Sequence, residues 1–255
     1  MRCHQRPEWA HVRLYLTVEG VSTGIIPGDN SPFEIQANFM KHLVVFRNGN
    51  GKVVTFTLQD GLSVMEFYKQ FMKGLEEIGS PTAINVRAQE FYDPIDFDKD
   101  TKHHHYDKEA VQLWHQNHLF AYEALRGFLS GFRGKVDGPA YYFGTMDLTG
   151  IVYSGESAPF GMNKPISDHA FDERYFECGF WPGDVNYPRP AFYGLPYPFI
   201  SDIKGNDHLI RPAMAIFKPE KKEFFLTLED ALAYDDPFDA VHQFLQSSFD
   251  IMQKV

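Results

Sequence analysis

The chain has 255 residues, 44% of them hydrophobic, and a formal net charge of −10. That length buries a large core near the upper limit for one domain, and the negative balance, with no Lys/Arg run longer than two residues, argues against nucleic acid as a partner. Two cysteines, Cys3 and Cys178, make no disulfide framework, and no apolar run reaches membrane-spanning length, so a cytoplasmic, non-membrane protein is expected.

The first residues, "MRCHQRPEWAHV", lack the apolar stretch of a signal peptide. Next, "HVRLYLTVEGVSTGIIPG" (11–28) has an aromatic strand, an acidic turn and a second strand. "VVFRNGNGKVVTFTLQDGL" (44–62) predicts a hairpin: β-branched and aromatic residues flank a Gly/Asn turn. Ser63 stands three residues before Glu66, a capping box, and Val64, Phe67, Phe71, Leu75 and Ile78 keep helical spacing until Gly79 and Pro81. A polar linker, "YDPIDFDKDTKHHHYD" (92–107), ends at Asp107, a candidate N-cap for a long helix. There Val111, His115, His118, Tyr122, Leu125, Leu129 and Phe132 recur at three and four, and Trp114, Phe120, Ala121 and Phe128 widen the apolar arc.

"AYYFGTMDLTGIVYSG" (140–155) again reads strand, acidic turn, strand. "GFWPGDVNYPRPAFYGLPYPF" (179–199) is rich in Pro, Gly and aromatics. It is expected to be irregular and held by packing rather than by ladder bonds, a rigid loop that either walls a pocket or plugs a sheet end. "AIFKPEKKEFFLTLEDAL" (215–232) predicts another hairpin. Asp236, with Pro237 behind it, opens a final helix carrying Phe238, Val241, Leu245, Phe249 and Met252.

The hexapeptides "TLQDGL" (57–62) and "TLEDAL" (227–232) close the two hairpins, and each is followed by a helix. Phe46, Arg47, Lys52 and Leu58 fall on Phe217, Lys218, Lys222 and Leu228. The alternative is convergence, because Thr-Leu-x-Asp-x-Leu suits any strand that hands over to a helix. The reading adopted is an α+β protein of two pseudo-symmetric halves, 1–106 and 107–255, packed as one compact body. Each would hold an antiparallel sheet of several strands with a covering helix, from an internal duplication. The first half would lack the leading helix of the second.

"DPIDFDKDTKHHHYDKEA" (93–110), "GKVDGPAYYFGTMDL" (134–148), "CGFWPG" (178–183), "AFYGLPYP" (191–198) and "FLQSSFD" (244–250) together resemble a bacterial family catalogued only as a domain of unknown function. The resemblance covers nearly the whole chain and implies no activity. It also implies a longer front with a His-Trp-Trp-His stretch, represented here by "EWAHV", and a His-Glu pair where this chain has "DERYFE". Within the linker the family pattern retains His103 with Asp93, Asp100, Tyr106 and Asp107.

Imidazoles and carboxylates ligate first-row metals, but on an extended segment only His103 and His105 share a side, a weak metal signature beside a solvated, turn-forming linker. His115 and His118 lie within an apolar stripe and are expected to be core histidines. Lys135 is a candidate anion holder, and Asp147 a base or hydroxyl acceptor. Trp181, Tyr193 and Tyr197 complete the set. No nucleophile elbow, phosphate loop, dinucleotide fingerprint or His-Glu-x-x-His motif occurs.

The expected function is binding of a small molecule in an aromatic-lined cavity between the halves, through His103, Asp93, Asp100, Tyr106, Lys135, Asp147, Trp181, Tyr193 and Tyr197. The alternatives are a metal-assisted enzyme using His103 and the nearby aspartates, and a non-catalytic interaction module, possibly a homo-oligomer. No cofactor is specified.

Overall fold

A computed structural model describes Arg6, residues 9–88, 93–142, Gly144 and residues 146–255. Cys3 lies outside the described residues. The chain divides into two compact units, one of residues His11–Asn117 and one of His118–Val255 together with Arg6, Trp9 and Ala10. Among the described residues no helix is long and apolar enough to cross a membrane.

The first unit is built on a five-stranded antiparallel meander, β1 (Tyr15–Thr17), β2 (Gly20–Ser22), β3 (Phe33–Asn38), β4 (Leu43–Asn48) and β5 (Val53–Thr57), with neighbours in chain order. α1 (Val64–Glu77) covers it and begins where the capping box places it, with Ser63 Oγ accepting from the Glu66 N–H at 3.2 Å. Phe33, Ile35, Val44, Phe46, Leu58, Leu75 and Ile78 form the core between sheet and helix.

α2 (Lys108–Leu129) starts on Asp107, whose Oδ1 accepts from the Ala110 N–H at 3.0 Å. The unit boundary falls inside this helix. In the first unit, buried His115 donates Nε2–H to the Thr17 carbonyl at 2.8 Å and meets the Phe39 ring edge-on. In the second, buried His118 packs edge-on to Phe180 and Tyr141. Both are core histidines, as expected.

The second unit carries a six-stranded antiparallel sheet. Its strands are β6 (Val136–Tyr142), β7 (Asp147–Ser157), β8 (Glu173–Trp181), β9 (Ala191–Tyr197), β10 (Ile216–Lys218) and β11 (Glu223–Thr227), in the order β10-β11-β9-β8-β7-β6. Alternation along the strands sorts side chains onto two faces. Leu148, Phe176, Phe180, Phe192, Phe224 and Leu226 are essentially sealed from solvent. Over them lie Phe120 and Phe128 of α2 and the helix α5 (Pro237–Met252), through ring contacts such as Phe120 to Phe192 and Phe176 to Phe249. α5 starts as predicted, with Asp236 accepting from the Asp239 N–H at 3.0 Å. The short helix α3 (Pro165–Ala170) precedes β8, and Trp9 Nε1–H reaches the Ile166 carbonyl at 3.0 Å.

Two expectations change here. About half of the segment 179–199 is sheet: Gly179, Phe180 and Trp181 pair with Tyr193, Phe192 and Ala191, and β9 runs to Tyr197, leaving 182–190 and 198–199 as the irregular parts. Gly179 and Gly194 are strand positions that rings cross rather than breakers, while Gly183, with φ +89°, turns the loop between the strands. A Cβ on Gly179 would lie 2.2 Å from Tyr193 Cζ, and one on Gly194 2.8 Å from Phe176 Cζ.

The duplication is not carried by the topology. Both "TL-D-L" segments do end hairpins that lead to helices. In the first unit, however, the preceding strand β3 pairs with the hairpin's first strand β4, whereas in the second β9 pairs with the hairpin's second strand β11. The cause is legible in the strands: "VVTFT" alternates and suits an edge, while the apolar run in "EFFLT" is buried on both faces and suits an interior strand.

Candidate functional site

The face of the six-stranded sheet opposite the phenylalanine core carries Asp147, Thr149, Ile151 and Tyr153 from β7. Tyr175, Glu177, Gly179 and Trp181 come from β8, Tyr193, Leu195 and Tyr197 from β9, and Glu223 and Phe225 from β11. It is not uniformly apolar. One end is an aromatic cluster of Tyr153, Tyr175 and Tyr197 under Phe160, Phe171 and Phe199. The other end groups Tyr193 and Phe225 with Trp181, Tyr187 and Leu195. Between them opens a cavity of about 610 Å³, lined among others by Asp147, Glu177, Tyr193, Trp181, Glu223 and Phe225.

The floor of the cavity is one hydroxyl surrounded by acceptors. Because Gly179 lacks a side chain, the Tyr193 ring lies down across β8. Its hydroxyl is then 2.7 Å from Thr149 Oγ1, 2.8 Å from Asp147 Oδ2 and 2.8 Å from Glu177 Oε1. Thr149 Oγ1 is itself 3.3 Å from Asp147 Oδ2. A phenol has one proton and an ionised carboxylate has none, so two hydroxyl protons serve two carboxylates and a third proton is readily held. Loss of water around Glu177, reinforced by the charge of Asp147, pushes its carboxyl up to about 8. Burial and the same charge raise Glu223 to about 7, with Lys221 and Lys218 pulling the other way. Burial and both carboxylates hold the Tyr193 phenol well above its usual range, so it stays protonated.

The aromatic wall is set by the 182–190 loop. Asp184 Oδ1 accepts from the N–H groups of Asn186 (2.7 Å) and Tyr187 (2.8 Å), bonds that hold its carboxyl below the ordinary range. Arg189 Nη2 ties the loop's end to Glu229 (3.0 Å) and Thr227 (3.3 Å). Tyr187 is thereby stacked on Trp181 with 15° between the planes. Two lysines of the β10–β11 hairpin lie on these rings. Lys218 Nζ is 4.0 Å from the Tyr187 centroid and 4.8 Å from that of Phe225, and Lys221 Nζ is 5.5 Å from Trp181 and 5.9 Å from Phe225.

Of the candidates read from the sequence, Asp147, Trp181 and Tyr193 line this cavity. Lys135 and Tyr197 belong to the other end of the same face. Lys135 Nζ pairs with Glu173 at 3.0 Å and sits 3.8 Å over the Tyr153 ring, and the Tyr197 hydroxyl donates to the Ala158 carbonyl at 2.7 Å. Glu177, Thr149, Glu223 and Lys221 escaped the sequence reading. The signal for Glu177 was its place two residues before Gly179, on the same strand face, which only a strand assignment for "ERYFECGFW" reveals.

The linker residues lie in the first unit and are occupied in fastening it. Asp100 is buried and accepts from the N–H groups of Lys102 (3.0 Å) and His103 (3.1 Å) and contacts His103 Nδ1 at 2.8 Å. Burial opposes its ionisation, but these three bonds outweigh it and hold the carboxyl low. The carbonyls of Asp100, His103 and His104 take the N–H groups of Met65, Val64 and Gly61, strapping the linker to the start of α1. His105 Nδ1 contacts Asp60 Oδ1 at 2.9 Å, the Tyr106 hydroxyl meets His42 Nδ1 at 3.2 Å, and Asp93 is exposed. Among the described residues no group of three His, Cys, Asp or Glu side chains is arranged to hold a metal ion.

Comparison with curated proteins and with solved structures finds no match to the chain. A family model does match, over residues 1–255, and the chain belongs to the family of unknown function DUF5996.

Proposed function

We propose that the protein binds a small organic molecule in the cavity on the polar face of the six-stranded sheet. The observation that carries this reading is the cavity itself: about 610 Å³, with the Tyr193 hydroxyl and two carboxyl groups converging at its floor and Trp181, Phe225 and Leu195 on its walls. Convergent polar groups beside aromatic walls in an open cavity of this size suit a ligand with a polar head and a flat or apolar body. A fragment screen read by NMR tests it. Hits should shift the Trp181 indole and Tyr193 ring signals and lose affinity at least tenfold in Y193F. A screen whose hits all leave those signals unmoved would remove the proposal.

A second reading rests on the same floor. Two carboxyl groups share one hydroxyl there, and Glu177, which burial keeps protonated, is placed to act as a proton donor to a bound molecule. Cavity ligands incubated with the protein and followed by mass spectrometry decide between binding and turnover. Unchanged masses throughout would retire the catalytic reading.

A further inference from the structure

The floor and walls restrict the chemistry of what fits. Three carboxyl groups, Asp147, Glu177 and Glu223, line the cavity, and the Tyr193 and Thr149 hydroxyls are shared between the first two. Among the described residues no ion pair neutralises Glu177 or Glu223. Of the rings that line the cavity, Phe225 carries the ammonium groups of Lys218 and Lys221, and Trp181 that of Lys221, so these ring faces accept a cation. An anion would be repelled by any of these carboxyl groups that ionises, and a neutral alcohol would add one donor without charge.

Resting on the cavity reading above, we infer that the ligand's polar end is a protonated amine carried on an aromatic or apolar body, and that its arrival expels a proton from the floor. An ammonium group brings three N–H donors and a positive charge to a cavity lined by three carboxyl groups. The charge favours ionised Glu177, which burial and the charge of Asp147 otherwise keep protonated up to about pH 8. The groups facing Glu177 are Asp147 and Thr149 from β7, Tyr193 from β9 and Glu223 from β11, the last tempered by Lys218 and Lys221. Amine affinity therefore rises with pH up to about 8, where Glu177 becomes ionised without help. Lys221, exposed on the rim, acts as a resident competitor.

The test uses three molecules of one shape: 2-phenylethylamine, 2-phenylethanol and phenylacetate. Each is titrated calorimetrically into the full-length protein at pH 7 in buffers of different ionisation heat, with ring signals followed by NMR. The amine should bind at least tenfold tighter than the other two and release protons on binding. The release should shrink in E177Q, whose fold is checked by circular dichroism, and K221Q should tighten the amine several-fold. If the alcohol or phenylacetate binds as well as the amine, or K221Q weakens the amine, the amine inference is wrong while the cavity reading stands. If none of the three moves the Trp181 and Tyr193 signals at millimolar concentration, both fall.

Discussion

At position 179 a single missing methyl decides whether the site exists. Tyr193 lies where a Cβ of residue 179 would be, 2.2 Å from its Cζ, so Gly179→Ala must lift the ring and pull its hydroxyl from Thr149, Asp147 and Glu177. We expect a loss of about 2–4 kcal/mol in urea unfolding, from overpacking plus broken hydrogen bonds. Gly127, exposed in α2 with nothing within 4 Å of the point a Cβ would occupy, is the control: Gly127→Ala should stabilise by about 0.5–1 kcal/mol. Glu177 makes a second prediction. Its folded-state carboxyl titrates near 8 against an ordinary 4.5, so between those values the unfolded chain ionises while the folded one keeps its proton. Wild-type stability must then fall as pH rises through that window. Glu177→Gln should flatten the slope, gaining on the order of 2–4 kcal/mol at pH 8 and nothing below pH 4.5. Chemical denaturation at pH 4, 6 and 8 checks the sign.

At the scale of elements, the same hexapeptide does two jobs. In "TLEDAL" the Thr227 side chain caps α4 (Leu228–Leu232), accepting from the Asp230 N–H at 3.1 Å, so helix begins at once. In "TLQDGL" the backbone at Gly61 has φ +87°, a left-handed conformation that glycine adopts freely, and helix is postponed to Val64. Asp60 is turned instead to the linker, where it accepts from the Tyr106 N–H at 3.1 Å. Thr227→Val should therefore cost about 1 kcal/mol and Thr57→Val, at an exposed position, only a few tenths, both read by thermal unfolding. Asp60→Ala should leave α1 intact but speed amide exchange at Tyr106. The helices were legible because periodicity and caps are local: Ser63, Asp107 and Asp236 each stand at a true N-cap. The strand at 173–181 was not, because its glycine and the nearby prolines read as punctuation. Their meaning lies in a ring contributed by Tyr193, 14 positions away.

For the whole molecule, the charge of −10 supports one prediction: labelled duplex DNA should show no anisotropy change with this protein at physiological salt, since the average surface repels phosphate. The sequence by itself determined the α+β class, the hairpins, the helix starts, the core histidines and three of the residues that line the cavity, Asp147, Trp181 and Tyr193. Each of these depends on side-chain spacing within a few residues of chain. Tertiary structure alone decided that β11 enters the sheet beside β9, that the linker histidines fasten α1, and that Glu177, Thr149 and Glu223 meet around one hydroxyl. Such meetings depend on which strands pair and in what register, and a slip of one residue would turn every one of those side chains to the opposite face.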